Sequence, residues 1–151
     1  MGAKVLAIDA KNFSIVNSDI FYKEEQIKVQ GCTANWKTLP GRVFCGTGKG
    51  HVLWYEFKNG KLEKETEFLA HMDECRNVNL HPHEKYLLST GRDGSARIWD
   101  CSVEGKPKLQ SNLAYHHENV ASTAFLSNEL VVTGSWDQNL AVWKYKDLLK
   151  Q

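Results

Sequence analysis

The stretch Ser89 to Asp100, STGRDGSARIWD, decides the fold because it is one of three copies. The chain reads TGSWDQNLAVWK from Thr133 to Lys144, 44 residues downstream, and CGTGKGHVLWYE from Cys45 to Glu56, 44 residues upstream. Lys49, Asp93 and Asp137 share one register position. Tyr55, Trp99 and Trp143 follow each of them by six residues, and Cys45, Ser89 and Thr133 precede each by four. A period of this length marks an array of supersecondary units that bury their apolar faces against one another.

Around each anchor the local signals are those of strands. KYLLST and ELVVTG are short apolar runs, and SARIWD and NLAVWK alternate with β-branched or aromatic members. Between them Gly91-Arg92-Asp93-Gly94 and Gly134-Ser135-Trp136-Asp137 carry turn chemistry, and Asn59-Gly60 is a strong hairpin signal after WYEF. Upstream of the second anchor, CRNVNL, a His81-Pro82-His83 turn and KYLLS add strand, turn and strand. Each repeat is thus expected to be a four-stranded antiparallel sheet, and the class all-β. Only the closing residues KYKDLLKQ suggest a helix.

Four-stranded units of this length, ending in a Trp-Asp pair, resemble the WD-repeat β-propeller family. Ala70-His71 to Trp99-Asp100 matches the family pattern closely. His116 to Trp143 matches with a turn one residue shorter and Lys144 in place of the final acid, and Gly31 to Glu56 matches in outline. The resemblance divides the chain into a partial blade at 1–30, a degenerate repeat at 31–70 and WD repeats at 71–115 and 116–151. Propellers of this family commonly close with about seven blades, roughly twice what this chain supplies. An incomplete ring is therefore expected, either as part of a longer propeller, completed by self-association or another chain, or as a truncated product. An open arc exposes an apolar blade face at its end.

The family resemblance also implies hydrogen-bonded tetrads inside the blades: His71, Ser89, Asp93 and Trp99 in one, His116, Thr133, Asp137 and Trp143 in the next. The same residue types spell a hydrolase triad, the alternative function. A nucleophile need occur only once, whereas this set recurs in register with a Trp attached, which favours architecture over a catalytic site. In the first repeat Cys45, Lys49 and Tyr55 take the Ser, Asp and Trp positions, and Ile27 lies near that of His. No tetrad forms there. That blade is expected to rest on packing of Val43, Phe44, Val52, Leu53 and Tyr55 alone.

Composition narrows the function further. The 151 residues are 42% hydrophobic and 25% charged, with 19 basic against 18 acidic residues and a net charge of +1. That balance provides no field to gather nucleic acid, so a nucleic-acid or chromatin role is disfavoured. No apolar run is long enough for a membrane span and the first residues do not read as a secretory signal, so an intracellular site, cytoplasm or nucleus, is expected. Cys32, Cys45, Cys75 and Cys101 lack metal or redox-pair spacing and read as reduced thiols, and His81, His83, His116 and His117 lack companion ligands. No cofactor and no metal are expected.

Function is then left to the loops. Arg92 and Trp136, each just before its turn acid, are expected to project from one face of the propeller. Met72, Asp73, Arg76, His117, Glu118 and Asn119 from the inter-blade loops form a mixed polar rim around them. Trp and Arg are enriched at binding hot spots, so the reading is a non-enzymatic scaffold or adaptor that binds a protein or peptide within a larger complex.

Overall fold

The computed structural model of the chain describes residues 3–8, 10–12, 15–21 and 28–149, so the Ile27 position lies outside the described residues. Strands β1 (Ala3–Ile8) and β2 (Ile15–Phe21) form an antiparallel pair. A four-stranded sheet follows, with β3 (Val29–Ala34), β4 (Arg42–Thr47), β5 (His51–Lys58) and β6 (Lys61–Leu69) in sequence order. A second repeats the order with β7 (Cys75–Leu80), β8 (Tyr86–Gly91), β9 (Ser95–Asp100) and β10 (Lys108–Ala114). The third has three strands, β11 (Val120–Phe125), β12 (Leu130–Ser135) and β13 (Leu140–Lys144), before the short helix α1 (Tyr145–Leu148). Among the described residues the last repeat shows three strands and a helical turn, against the four strands expected of each repeat.

All pairings are antiparallel, and the first strands of the three sheets adjoin, β3 beside β7 and β7 beside β11. This is the radial arrangement of propeller blades. Among the described residues the blades do not close into a ring. Near the start of each first strand the register slips, between Val29 and Gly31, Cys75 and Asn77, and Val120 and Ser122. Such bulges increase the local twist, and they recur at the same place in each blade.

The central strands read as continuous apolar runs because both of their faces are covered. Phe44, Val52 and Trp54 from the first sheet pack with Val78, Leu80, Leu87 and Trp99 of the second to form one inter-blade core. Leu88, Ala96 and Ile98, on the opposite face of the second sheet, pack with Val131 and Tyr145. The third sheet is covered on one side only, leaving Leu140 78% and Val142 61% exposed. That exposure is the apolar end face expected of an open arc.

The turns joining second and third strands share one backbone requirement. Gly50 and Gly94, 44 residues apart, have φ of +79° and +78°, and Gln138 takes φ +69° at the third equivalent position. Left-handed backbone suits glycine, so the third turn carries a strain that the first two avoid.

The first sheet corrects the expectation that packing alone holds it. Cys45, Leu53 and Tyr55 are buried on its outer face and Phe44 and Val52 on its inner one. Polar ties are added to these. Arg42 donates to Glu56 at 2.8 Å and reaches Glu104, in the loop after β9, at 3.2 Å. Lys58 pairs with Glu56 and, at 3.1 Å, with Glu65. Burial would raise the Glu56 carboxyl, but hydrogen bonds from Lys58 and Arg42 outweigh it and hold it below its ordinary value.

Candidate functional site

Each WD repeat carries an internal hydrogen-bonded chain. His71 comes from the link into the second blade, Ser89 from β8, Trp99 from β9 and Asp93 from the turn between those strands. Asp93 Oδ1 lies 3.0 Å from His71 Nδ1, which places the proton on that nitrogen. Nε2 is then an acceptor, and the Ser89 hydroxyl donates to it at 2.8 Å while accepting from Trp99 Nε1 at 2.9 Å. Asp93 also accepts from the Ser95 hydroxyl at 2.7 Å and the Met72 amide at 3.0 Å, and Arg97 pairs with it at 3.3 Å. The third blade repeats the chain. His116 lies 2.9 Å from Asp137 and 2.8 Å from Thr133, and Trp143 Nε1 donates to Thr133 Oγ1 at 2.9 Å.

This geometry suits a clamp and not a nucleophile. Ser89 is wholly buried, with both of its hydrogen-bonding roles committed to His71 and Trp99. A catalytic serine needs an exposed oxygen facing a substrate. The clamp reaches across blades, because Ala70 and His71 donate their amides to the Gly50 carbonyl in the first sheet, at 2.9 Å each.

Electrostatics tie the clamps to pH. Burial would raise the Asp93 carboxyl, but hydrogen bonds from His71 and Ser95 hold it well below the carboxylate range. Asp137 is brought down to about 2 against a similar burial effect, chiefly by His116 and the backbone amides of Asn139 and His117. His81 differs in kind. It is buried, accepts the His83 and Glu84 amides at its Nδ1, and has its pKa lowered by burial, with Glu84 opposing and His83 and Lys146 assisting.

All three groups bind protons more weakly folded than unfolded, so the unfolded chain takes up protons first and stability falls with pH. Urea midpoints are expected to decline below about pH 6.5, where an unfolded histidine charges, and more steeply below about pH 4, where unfolded carboxylates protonate. A midpoint that rises between pH 7 and pH 3 would contradict these assignments.

Among the loop residues predicted from sequence, contacts join Arg76 to Trp136 and Arg92 to Asp73. Glu74 Oε2 accepts from Gln30 at 3.4 Å and from Arg76 at 2.9 Å, and the Arg76 guanidinium lies 5.7 Å from the centroid of the Trp136 ring. One chain of contacts, Gln30 to Glu74 to Arg76 to Trp136, therefore crosses three blades. Arg92 leans toward Asp73 at 3.8 Å and Glu74 at 3.9 Å. Trp136 remains 61% and Met72 81% exposed, and His117 and Glu118, near the Trp136 turn, are exposed as well.

Two rim residues sit differently from the reading. Asn119 is buried at the start of β11, where its carbonyl accepts the Trp136 amide at 3.0 Å, so it supports the loop from beneath. Arg76 is half-buried because it is spent on Glu74 and the indole. Glu74 carries no mark in the sequence, yet it is the hub that joins Gln30, Arg76 and Arg92.

Elsewhere, the three carboxylates Glu56, Glu65 and Glu104 converge among the described residues, where Lys58 and Arg42 pair with them and offset two of their three charges. His81 and His83 do not share a site, since His81 points into the core against Phe125 and Tyr145.

A family model, "WD domain, G-beta repeat", matches residues 62–100 and 107–144. Among curated proteins the chain is similar to Jouberin of Rattus norvegicus, 25% identical over an alignment of 121 residues that covers 76% of this chain and 11% of that protein. It is 28% identical to THO complex subunit 6 of Arabidopsis thaliana over 68% of this chain and 28% of that protein. It is 24% identical to eukaryotic translation initiation factor 3 subunit I of Brugia malayi over 89% of this chain and 39% of that protein. The chain thus spans well under half the length of these relatives.

Proposed function

The chain belongs to the WD domain, G-beta repeat family, and from that premise we propose that it is a non-enzymatic scaffold or adaptor that holds a protein or peptide partner within a multi-protein complex. The carrying observation is Trp136. The fold uses one side of its ring, against Arg76, and leaves the rest open on a face that three blades build together. An exposed indole fixed by a guanidinium, with the exposed polar residues His117 and Glu118 beside its turn, has the mixed character of a binding hot spot and its rim. Two of the similar proteins are named as subunits, which supports a role inside an assembly. An intracellular site of action is part of the same reading.

The cations on this face do not suit a phosphate backbone. Arg76 and Arg92 both face the carboxylates of Glu74 and Asp73 and present no uncompensated charge. The apolar end face at Leu140 and Val142 is a separate surface, which a second copy or further blades would cover to complete a ring.

The test is affinity capture from lysate by the wild-type chain, Trp136→Ala and Arg92→Ala, with partners quantified by mass spectrometry. Truncating a hot-spot side chain costs upwards of about 2 kcal/mol, so retention of the specific partner is expected to fall roughly thirtyfold or more in Trp136→Ala. Unfolding should barely change, because a lone cation–π contact is worth about 1 kcal/mol or less and exposed ion pairs little more. An unchanged set of partners in both variants would remove this face from the account.

A further inference from the structure

The degenerate first sheet holds a pair of thiols that the sequence spacing conceals. Cys32 and Cys45 are 13 residues apart in the chain, but β3 and β4 pair antiparallel with these two directly opposite each other. Directly opposed residues hold their Cβ atoms about 4.5–5.5 Å apart, and a disulfide needs about 3.5–4.5 Å. A shift of about 1 Å closes the gap without moving a strand. The pair is also asymmetric: Cys32 is exposed and Cys45 is buried.

Position gives the pair its meaning. Cys45 stands where the other two blades place Ser89 and Thr133, whose hydroxyls bind a histidine and an indole. Lys49 and Tyr55 occupy the acid and indole positions here, so the sulfur holds the central position of the clamp in a repeat whose sequence lacks that acid and that indole. Across the strand it meets Cys32 instead.

We propose that Cys32 and Cys45 form a reversible cross-strand disulfide when a hydroperoxide oxidises Cys32, joining the first two strands of the first blade where the other blades use their buried clamps. The chemistry balances in two steps. The Cys32 thiolate attacks the hydroperoxide, an S–O bond forms as the O–O bond breaks, and the alkoxide or hydroxide released takes a proton from water. The Cys45 sulfur then attacks the Cys32 sulfenic acid, and the hydroxyl leaves with the Cys45 proton as water. A dithiol reductant reverses the couple by thiol–disulfide exchange.

The surroundings suit this division of roles. A hydrogen bond with Cys45 brings the Cys32 thiol down to about 6 against the effect of burial, leaving an accessible thiolate at neutral pH. The same hydrogen bond, with burial and the Cys32 charge, keeps Cys45 protonated until it resolves the sulfenic acid. Cys75 and Cys101 do not compete, since both are buried and burial is the main cause raising each to about 12. Transient redox-sensing disulfides are the kind found in reducing compartments.

The experiment treats the reduced chain with one equivalent of hydrogen peroxide at pH 7, blocks remaining thiols, digests with trypsin and maps the products. Cleavage after Lys28, Lys37, Arg42 and Lys49 places the two cysteines on separate peptides, 29–37 and 43–49. The expected main product is those two peptides linked, two hydrogens lighter than their sum and separated again by dithiothreitol. In Cys45→Ala the linked species should vanish and dimedone should trap a sulfenic acid at Cys32. Oxidation of wild type that stops at sulfinic acid on Cys32, or that links Cys75 or Cys101 instead, would overturn the proposal, and the wild-type map does so without relying on any variant.

Discussion

Ser89→Ala is expected to destabilise the fold by about 3 kcal/mol, because one hydroxyl serves two buried partners and a methyl group serves neither. Trp99 Nε1 loses the oxygen it donates to at 2.9 Å, and His71 Nε2 loses the hydroxyl at 2.8 Å. Leaving a buried polar group unpaired costs about 1–3 kcal/mol each, and Ser89, Thr90 and His71 are all fully buried. At a urea slope of about 2 kcal/mol/M the midpoint should fall by about 1.5 M. Thr133→Val, in the blade with one open face, removes the same hydroxyl from His116 and Trp143. A fall under about 0.3 M for Ser89→Ala would mean that the clamp contributes no more than an ordinary surface contact.

Gly50→Ala should be at least as damaging, for reasons of space rather than hydrogen bonding. A Cβ there would overlap the His71 carbonyl oxygen and sit 2.5 Å from that of Asp73, both backbone atoms of the link into the next blade. That link cannot retreat freely, since Ala70 and His71 donate to the Gly50 carbonyl. The backbone at φ +79° adds about 1–2 kcal/mol for any L-residue. Gly60 provides the control, with φ +75° and nothing within 4 Å of the place a methyl group would take. Gly60→Ala should therefore cost the conformational term of about 1–2 kcal/mol alone, and Gly50→Ala about 2 kcal/mol more. Equal melting temperatures for the two variants would show that the blade link is slack.

The period of 44 residues carried most of the architecture, because a blade cannot bury its faces without neighbours of the same pitch. The grouping of His71, Ser89, Asp93 and Trp99 is what the family resemblance implies, and Ser89, Asp93 and Trp99 have counterparts 44 residues on, with the second histidine one residue later at His116. Contacts that occur once were not visible in this way. Cys32 meets Cys45 only through strand register, Arg42 meets Glu104 across two blades, and Glu74 organises the loop face by touching residues from different turns. Asn119 looked like a rim residue because a polar side chain in a loop usually faces water. Its position opening β11, beneath Trp136, buries it instead. The third sheet ends in a helical turn because Tyr145 buries its ring against His81 and Phe125 and its hydroxyl donates to the Asn128 carbonyl, a tertiary docking with no periodic signature.

In the proposed division of labour, buried clamps hold the blades, and Trp136 and its neighbours meet the partner. Affinity capture by Ser89→Ala, carried out well below that variant's own unfolding midpoint and beside Trp136→Ala, tests it most directly. Ser89→Ala is predicted to unfold earlier yet retain the wild-type set of captured proteins, while Trp136→Ala keeps its midpoint and loses them. Ser89→Ala that keeps the wild-type midpoint and loses the captured proteins would contradict the claim, placing Ser89 in the functional site itself.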